Sequence, residues 1–197
     1  MYKVIGLTGG IASGKTTVSN YLKDQGFTVL DADVYSRKTT EKNGPAIPEI
    51  IEEFGEDIVD ESGNLNRKKL GNIIFNDEGK RKKLNAIVHP LIRQMMNSDE
   101  KKFKEKGHVF LDIPLLFENG LDSRCDLILT VYVDREVQIE RLSERNNLNR
   151  SDAVSRIDSQ MPLCDKASKS DIVFDNNGTL DELYEQVNKF LETLKTM

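Results

Sequence analysis

The sequence predicts an α/β fold: a core of about five mostly parallel strands sandwiched by helices. Three observations point to it. Lys3 to Thr8 is a short apolar run rich in β-formers that stops at Gly9-Gly10, as a buried strand entering a turn would. Behind it Val18, Tyr21 and Leu22 recur at helical spacing until Gly26, and Phe27 to Leu30 reads as a second strand. A helix between two such strands is a βαβ unit, whose crossover is right-handed and whose strands are parallel. Further short apolar runs bounded by polar residues predict strands at 108–112, 127–133 and 172–174.

The stretch between the second and third strands is too long for a loop and carries Ile47, Ile50, Ile51 and Phe54 along one helical face, so a helical insertion is expected over 34–106. Residues 138–169 hold Arg141, Arg145, Arg150 and Arg156 in helical context with few large apolar residues, which predicts a mobile helical lid. The nucleotide-binding core is then 1–33, 107–137 and 170–197. Its last helix is amphipathic, with Leu180, Leu183, Val187, Phe190, Leu191 and Leu194 facing the sheet.

Composition narrows the function classes. The chain has 197 residues, a hydrophobic share of 38%, a charged share of 31% and a net charge of −5, which is a poor match for a nucleic-acid backbone. Basic runs at Lys80-Arg81-Lys82-Lys83 and at Lys101-Lys102-Phe103-Lys104 read as solvated helix faces, so no nucleic-acid partner is expected. No apolar run approaches the roughly 20 residues of a membrane span, so no membrane association is expected and the cytoplasm is the default compartment. Cys125 and Cys164 lack CxxC spacing and have only His89 and His108 as companions, so both read as ordinary thiols.

The chemistry is announced by Gly9-Gly10-Ile11-Ala12-Ser13-Gly14-Lys15-Thr16, which fits GxxxxGK[ST] at every fixed position between a predicted strand and a predicted helix. Glycines let successive N–H groups point inward, and the helix start adds its positive dipole end, so a polyphosphate is the natural guest. Lys15 would reach the β- and γ-phosphates of ATP, the Thr16 hydroxyl would hold Mg²⁺, and Thr17 could donate to the α-phosphate. A GTP switch should carry NKxD, whereas Asn188-Lys189 continues as Phe190-Leu191 inside the last helix. Asp31-Ala32-Asp33 closes the second strand, where two carboxylates on an extended segment can face one side and meet an acceptor hydroxyl; capping of the next helix is the plainer role for Asp33. Asp112 ends an apolar strand in the layout of a Mg²⁺-binding Walker B carboxylate. Arg141 and Arg145, four apart, share a helix face and can point together at the nucleotide.

In order along the chain, IGLTGGIASGKTT (5–17), DAD (31–33), HPLIR (89–93), LDIPLLFE (111–118), the arginine segment and DNNG (175–178) resemble the motif series of the dephospho-coenzyme A kinase family, over nearly the whole chain. The resemblance implies a P-loop kinase core, a helical insertion that binds dephospho-coenzyme A as acceptor, and a helical lid. It implies transfer of the γ-phosphate of ATP to the acceptor's 3′-hydroxyl, with Asp33 orienting or deprotonating that hydroxyl. It also implies acceptor contacts from His89 and Arg93, which lie four apart on a helix begun by Pro90; a helix cap and a surface arginine are the plainer roles. Leu116 and Phe117 resemble the family's loop beside the acceptor, although apolar residues after a strand more often pack. Asn176 lies in a turn that could read adenine or be a plain Asx turn. Another P-loop small-molecule kinase, such as a nucleoside monophosphate kinase, is the alternative built from the same parts.

Overall fold

Every residue of the first strand, β1 (Val4–Gly9), is buried, because it runs through the middle of a five-stranded sheet of order β2-β3-β1-β4-β5. The computed structural model describes all residues except Asn76 and Met197. In chain order, β1 is followed by α1 (Lys15–Asp24), β2 (Thr28–Asp31), α2 (Ala32–Thr39), α3 (Ile47–Phe54), α4 (Arg67–Phe75), α5 (Glu78–Lys104) and β3 (Val109–Asp112). Then come β4 (Leu127–Tyr132), α6 (Arg135–Asn146), α7 (Arg150–Asp158), α8 (Leu163–Ser168), β5 (Ile172–Asp175) and α9 (Leu180–Leu194). The strands that the apolar runs predict are all present, with ends shifted by a residue or so.

The parallel pairings set the site's geometry. β1 lies between β3 and β4, with Leu7 opposite Asp112 on one side and Gly9 opposite Val131 on the other. β4 pairs with β5 from Leu129↔Ile172 to Tyr132↔Asp175. Ligands of parallel α/β sheets bind beyond the carboxyl ends of such strands. Here those ends are Gly9, Asp112, Tyr132 and Asp175.

Contacts divide the chain into two units, residues 31–101 and the remainder. In the sheet unit, Ile5, Leu7, Phe110, Leu129, Val131 and Phe174 pack against Val18 and Leu22 of α1 and against Leu183, Val187, Phe190 and Leu191 of α9. α9 begins with a capping box, in which Thr179 accepts from the Glu182 N–H and the Glu182 carboxylate accepts in return from the Thr179 N–H. The helices of 138–169 have a smaller core of Ile139, Leu142, Ala153 and Ile157, against which Ile11 and Ala12 pack. The helical unit has its own core of Ala46, Ile50, Ile58, Leu70 and Val88. Within it the Tyr35 hydroxyl donates to Asp99 Oδ2 at 2.5 Å, and burial together with that carboxylate pushes the phenol's pKa upward. No described helix is long and apolar enough to cross a membrane.

Phe110 is completely enclosed and meets Phe27 edge-on at 5.5 Å. Phe110→Ala should therefore cost about 3–5 kcal/mol of stability. A fall in the urea midpoint at unchanged slope would register it; an unchanged midpoint would not be compatible with this packing. The start of β1 depends on pH as well. The Lys3 N–H donates to His108 Nδ1 at 3.1 Å, which requires a neutral ring, and burial with the nearby N-terminus and Lys3 holds the ring's pKa below its ordinary value. The unfolded chain therefore takes up this proton first. The contribution to stability is whole above about pH 6.5 and is lost as pH falls from there toward the folded value. Acidification through this range should destabilise His108→Asn less than the native chain, measured by urea unfolding on both sides of it.

Candidate active site

Between the end of β1 and the start of α1, residues 10–14 form a tight loop that the Ser13 N–H closes onto Gly10 O at 3.1 Å. Ala12 and Gly14 have positive φ, 60° and 95°. Left-handed residues set among ordinary ones turn successive N–H groups to one side, the arrangement of an anion nest, and α1 adds the positive end of its dipole. Gly14 is required twice over. Its φ disfavours any side chain, and a Cβ there would lie 2.1 Å from Asn176 Nδ2.

The loop is held by side chains from far along the chain. Asn176 Nδ2 donates to Ser13 O at 2.9 Å. Gln138 Nε2 donates to Ile11 O at 2.7 Å, and Gln160 Oε1 accepts from the Ile11 N–H at 2.9 Å, so both backbone polar groups of Ile11 are gripped. The Ser13 hydroxyl is buried without a hydrogen-bond partner among the described residues.

Lys15, the first residue of α1, forms an ion pair with Asp112, the buried last residue of β3. Their meeting follows from the pairing of β1 with β3, which brings the end of β3 beside the exit of β1. Thr16, next along, is exposed. Arg141 Nη2 donates to Asn176 O at 3.0 Å, so Asn176 joins the loop through its side chain and α6 through its carbonyl. Arg145 instead donates from Nε to Asn146 Oδ1 at 2.9 Å. The two arginines expected to converge are engaged with different partners.

In the helical unit, Asp31 and Asp33 do not share an extended segment. Asp31 is the N-cap of α2, its Oδ1 accepting from the N–H groups of Asp33 at 2.9 Å and Val34 at 3.4 Å. Asp33 lies in the first helical turn, where a carboxylate complements the dipole. The capping role suggested for Asp33 thus belongs to Asp31, since only the residue before the helix has the backbone geometry of a cap. Pro90 does not begin a helix either. It lies inside the 27-residue α5, so His89 is no cap. His89 lines a cavity of about 270 Å³ with Ser36, Thr40, Arg67 and Asn85 over an apolar floor, while Arg93 lines a separate open pocket with Gln94, Ser98 and Lys101. Burial, helped by the Arg93 charge, holds the His89 pKa below its ordinary value, so the ring is disposed to be neutral.

After β3, Leu116 is completely buried against Gly6, where an added Cβ would come 3.2 Å from it. Its side chain is a packing element, as its place after a buried strand would suggest; Phe117 is half-buried. In the basic run of α5, Lys82 pairs with Glu78 at 3.0 Å and Lys83 with Glu53 at 2.5 Å. Neither Cys125 nor Cys164 is in a disulfide. Sequence reasoning gave no role to Gln138, Gln160 or Lys166 and quoted Glu118 only as the end of the LDIPLLFE run (111–118). None belongs to the nucleotide motif, and each acts on a backbone group that only folding brings near.

The sequence model described as Dephospho-CoA kinase matches residues 3–182. A Dephospho-CoA kinase of Listeria innocua is 48% identical over 194 residues, covering 98% of this chain and 97% of that protein. Among solved structures, a Thermus thermophilus protein superposes with a TM-score of 0.82 at 34% identity, and a Dephospho-CoA kinase from Campylobacter jejuni with 0.75 at 28%; each comparison covers 98% of both chains.

Gly14→Ala should destabilise the fold by about 1–3 kcal/mol through its left-handed backbone. Adding Asn176→Ala should not restore the loss, because relieving the clash leaves φ strained. A native urea midpoint for Gly14→Ala would contradict the loop geometry.

Proposed function

We propose that this chain, which belongs to the dephospho-coenzyme A kinase family, transfers the γ-phosphate of ATP to the 3′-hydroxyl on the ribose of dephospho-coenzyme A, giving coenzyme A and ADP. The reading is carried by the Lys15–Asp112 pair at the foot of the phosphate loop, in a chain that matches the family across residues 3–182. Phosphoryl transfer asks for positioning and charge stabilisation more than for covalent participation by the protein. Each part of the site can be assigned on that basis.

Residues 9–17 cradle the triphosphate through backbone N–H groups, with the Ser13 hydroxyl a further polar group at the loop. Lys15 holds the β- and γ-phosphates, and Thr17 donates to the α-phosphate. The Thr16 hydroxyl and the Asp112 carboxylate form a hard-oxygen donor set that suits Mg²⁺. When bound, the ion would neutralise charge between the phosphates. Phosphate oxygens compete with Asp112 for the Lys15 ammonium, so nucleotide entry would free the carboxylate for the metal. Arg141 serves the transferring phosphoryl group, while Arg145 and Asn176 complete the nucleotide site, and 138–169 acts as the lid that excludes water. Asn176 is already committed to the loop through its amide, which supports a role in shaping the nucleotide site.

Asp33 accepts or orients the proton of the attacking 3′-hydroxyl. His89 and Arg93 contact the acceptor from the helical segment 34–106, where a neutral imidazole can accept a hydrogen bond as well as donate one. Phe117 offers the acceptor an apolar contact, and Leu116 supports that loop from beneath. Two cysteines outside any disulfide suit the reducing cytoplasm, the proposed compartment.

ADP release should be stimulated by dephospho-coenzyme A and not by nucleoside monophosphates, pantothenate or the absence of an acceptor. Preference for a monophosphate would sink the assignment. Asp33→Asn should lower kcat by about 10²–10⁴-fold with little change in ATP affinity, the signature of a group that meets the acceptor proton. Lys15→Ala should impair both turnover and ATP binding; native kinetics in either variant would remove that residue from the chemistry.

A further inference from the structure

Lys166 is completely buried, and yet its ammonium group is surrounded by acceptors. Pro114 O lies at 2.8 Å, Glu118 Oε1 at 2.8 Å and Gly9 O at 3.4 Å. An ammonium has three N–H groups, so the three contacts match its donors in number. A buried lysine without such partners would be costly in its charged form, and the Glu118 carboxylate supplies the compensating charge.

The three acceptors are not equivalent in what they control. Gly9 is the last residue of β1, from which the phosphate loop departs. Pro114 lies two residues beyond Asp112, in the segment that leaves β3. The Thr8 hydroxyl also donates to Pro114 O at 3.0 Å, so the two strand exits are tied twice. Glu118 Oε1 in turn accepts from the Met161 N–H at 3.0 Å, next to the Gln160 side chain that grips Ile11. One ammonium therefore joins the exit of β1, the exit of β3 and the chain that braces the loop.

We propose that Lys166 is a positioning residue for phosphoryl transfer: by clamping Gly9 O, Pro114 O and Glu118, it fixes the spacing between the phosphate loop and Asp112. Its ammonium is enclosed and engaged, so it acts through the backbone it holds and not by touching a phosphate. This role deepens the kinase reading and rests on it. In-line transfer requires the γ-phosphate and the metal-binding carboxylate to be held within a fraction of an ångström, and a displacement of about 1 Å can cost on the order of 10²-fold in rate.

The test is Lys166→Met, alone and with Glu118→Gln. The double variant leaves no lone buried charge and keeps an acceptor for Met161, so it guards against loss of the fold. The expected result for both is a fall in kcat of about ten- to a hundredfold, with the Kd for ATP within about threefold of native. Amide hydrogen exchange at Ile11 and Ser13 should also quicken, since their hydrogen bonds depend on the clamped loop. A folded double variant with native kcat and native exchange would overturn the proposal, because a merely structural lysine would lower only the thermal midpoint. Exchange is read without acceptor or turnover. Failure of the native protein to phosphorylate dephospho-coenzyme A would therefore sink the kinase reading, while the exchange comparison would still decide the clamp.

Discussion

A loop that turns N–H groups toward a phosphate has few of them left to hold itself together. Residues 10–14 meet this constraint by adopting left-handed backbone at Ala12 and Gly14 and by being braced from outside. Asn176 holds the Ser13 carbonyl, and Gln138 with Gln160 grips Ile11, so groups more than a hundred residues away in sequence add to the local bond from the Ser13 N–H to Gly10 O. Each brace occupies a polar group that would otherwise be buried unpaired or wander. Pre-organisation of this kind is what phosphoryl transfer needs, since the protein's contribution is to have charges and dipoles already in place.

The same economy governs the charged residues. Lys15 and Asp112 are withdrawn from water together, and Lys166 is enclosed against Glu118, which stays partly exposed. Buried pairs of this type contribute little net stability, because desolvation offsets most of their attraction. Their value lies in direction. On the proposed function Lys15 and Asp112 would exchange each other for phosphate and metal, whereas Lys166 is held by two backbone carbonyls and by the Glu118 carboxylate. One pair is suited to chemistry and the other to holding the frame.

The helical unit is organised differently. Its core is aliphatic and separate, built on Ala46, Ile50, Ile58, Leu70 and Val88, and its polar candidates are carried on α2 and α5. A segment with its own core can change its surface residues while that core stays intact. The fold is therefore compatible with many acceptors, and identity must be read from the residues of this segment and from the family to which the chain belongs.

The order of strands and helices, the phosphate loop and the candidate carboxylates were legible in the chain because each rests on local rules: hydrophobic period, glycine punctuation and a motif with fixed spacing. Asp112 could be picked out from a strand ending in a carboxylate. Local rules misassigned the cap at Asp31 and Asp33 and the start of α5 at Pro90, since cap geometry depends on where the helix begins and a proline can be carried inside a long one. What tertiary structure alone decided is which distant groups meet: Lys15 with Asp112 across paired strands, two glutamines on the backbone of Ile11, and a buried lysine under the loop. Sequence spacing carries no signal for these contacts, because their energy comes from polar groups that are free in the extended chain and become obliged to find partners only once folding removes their water.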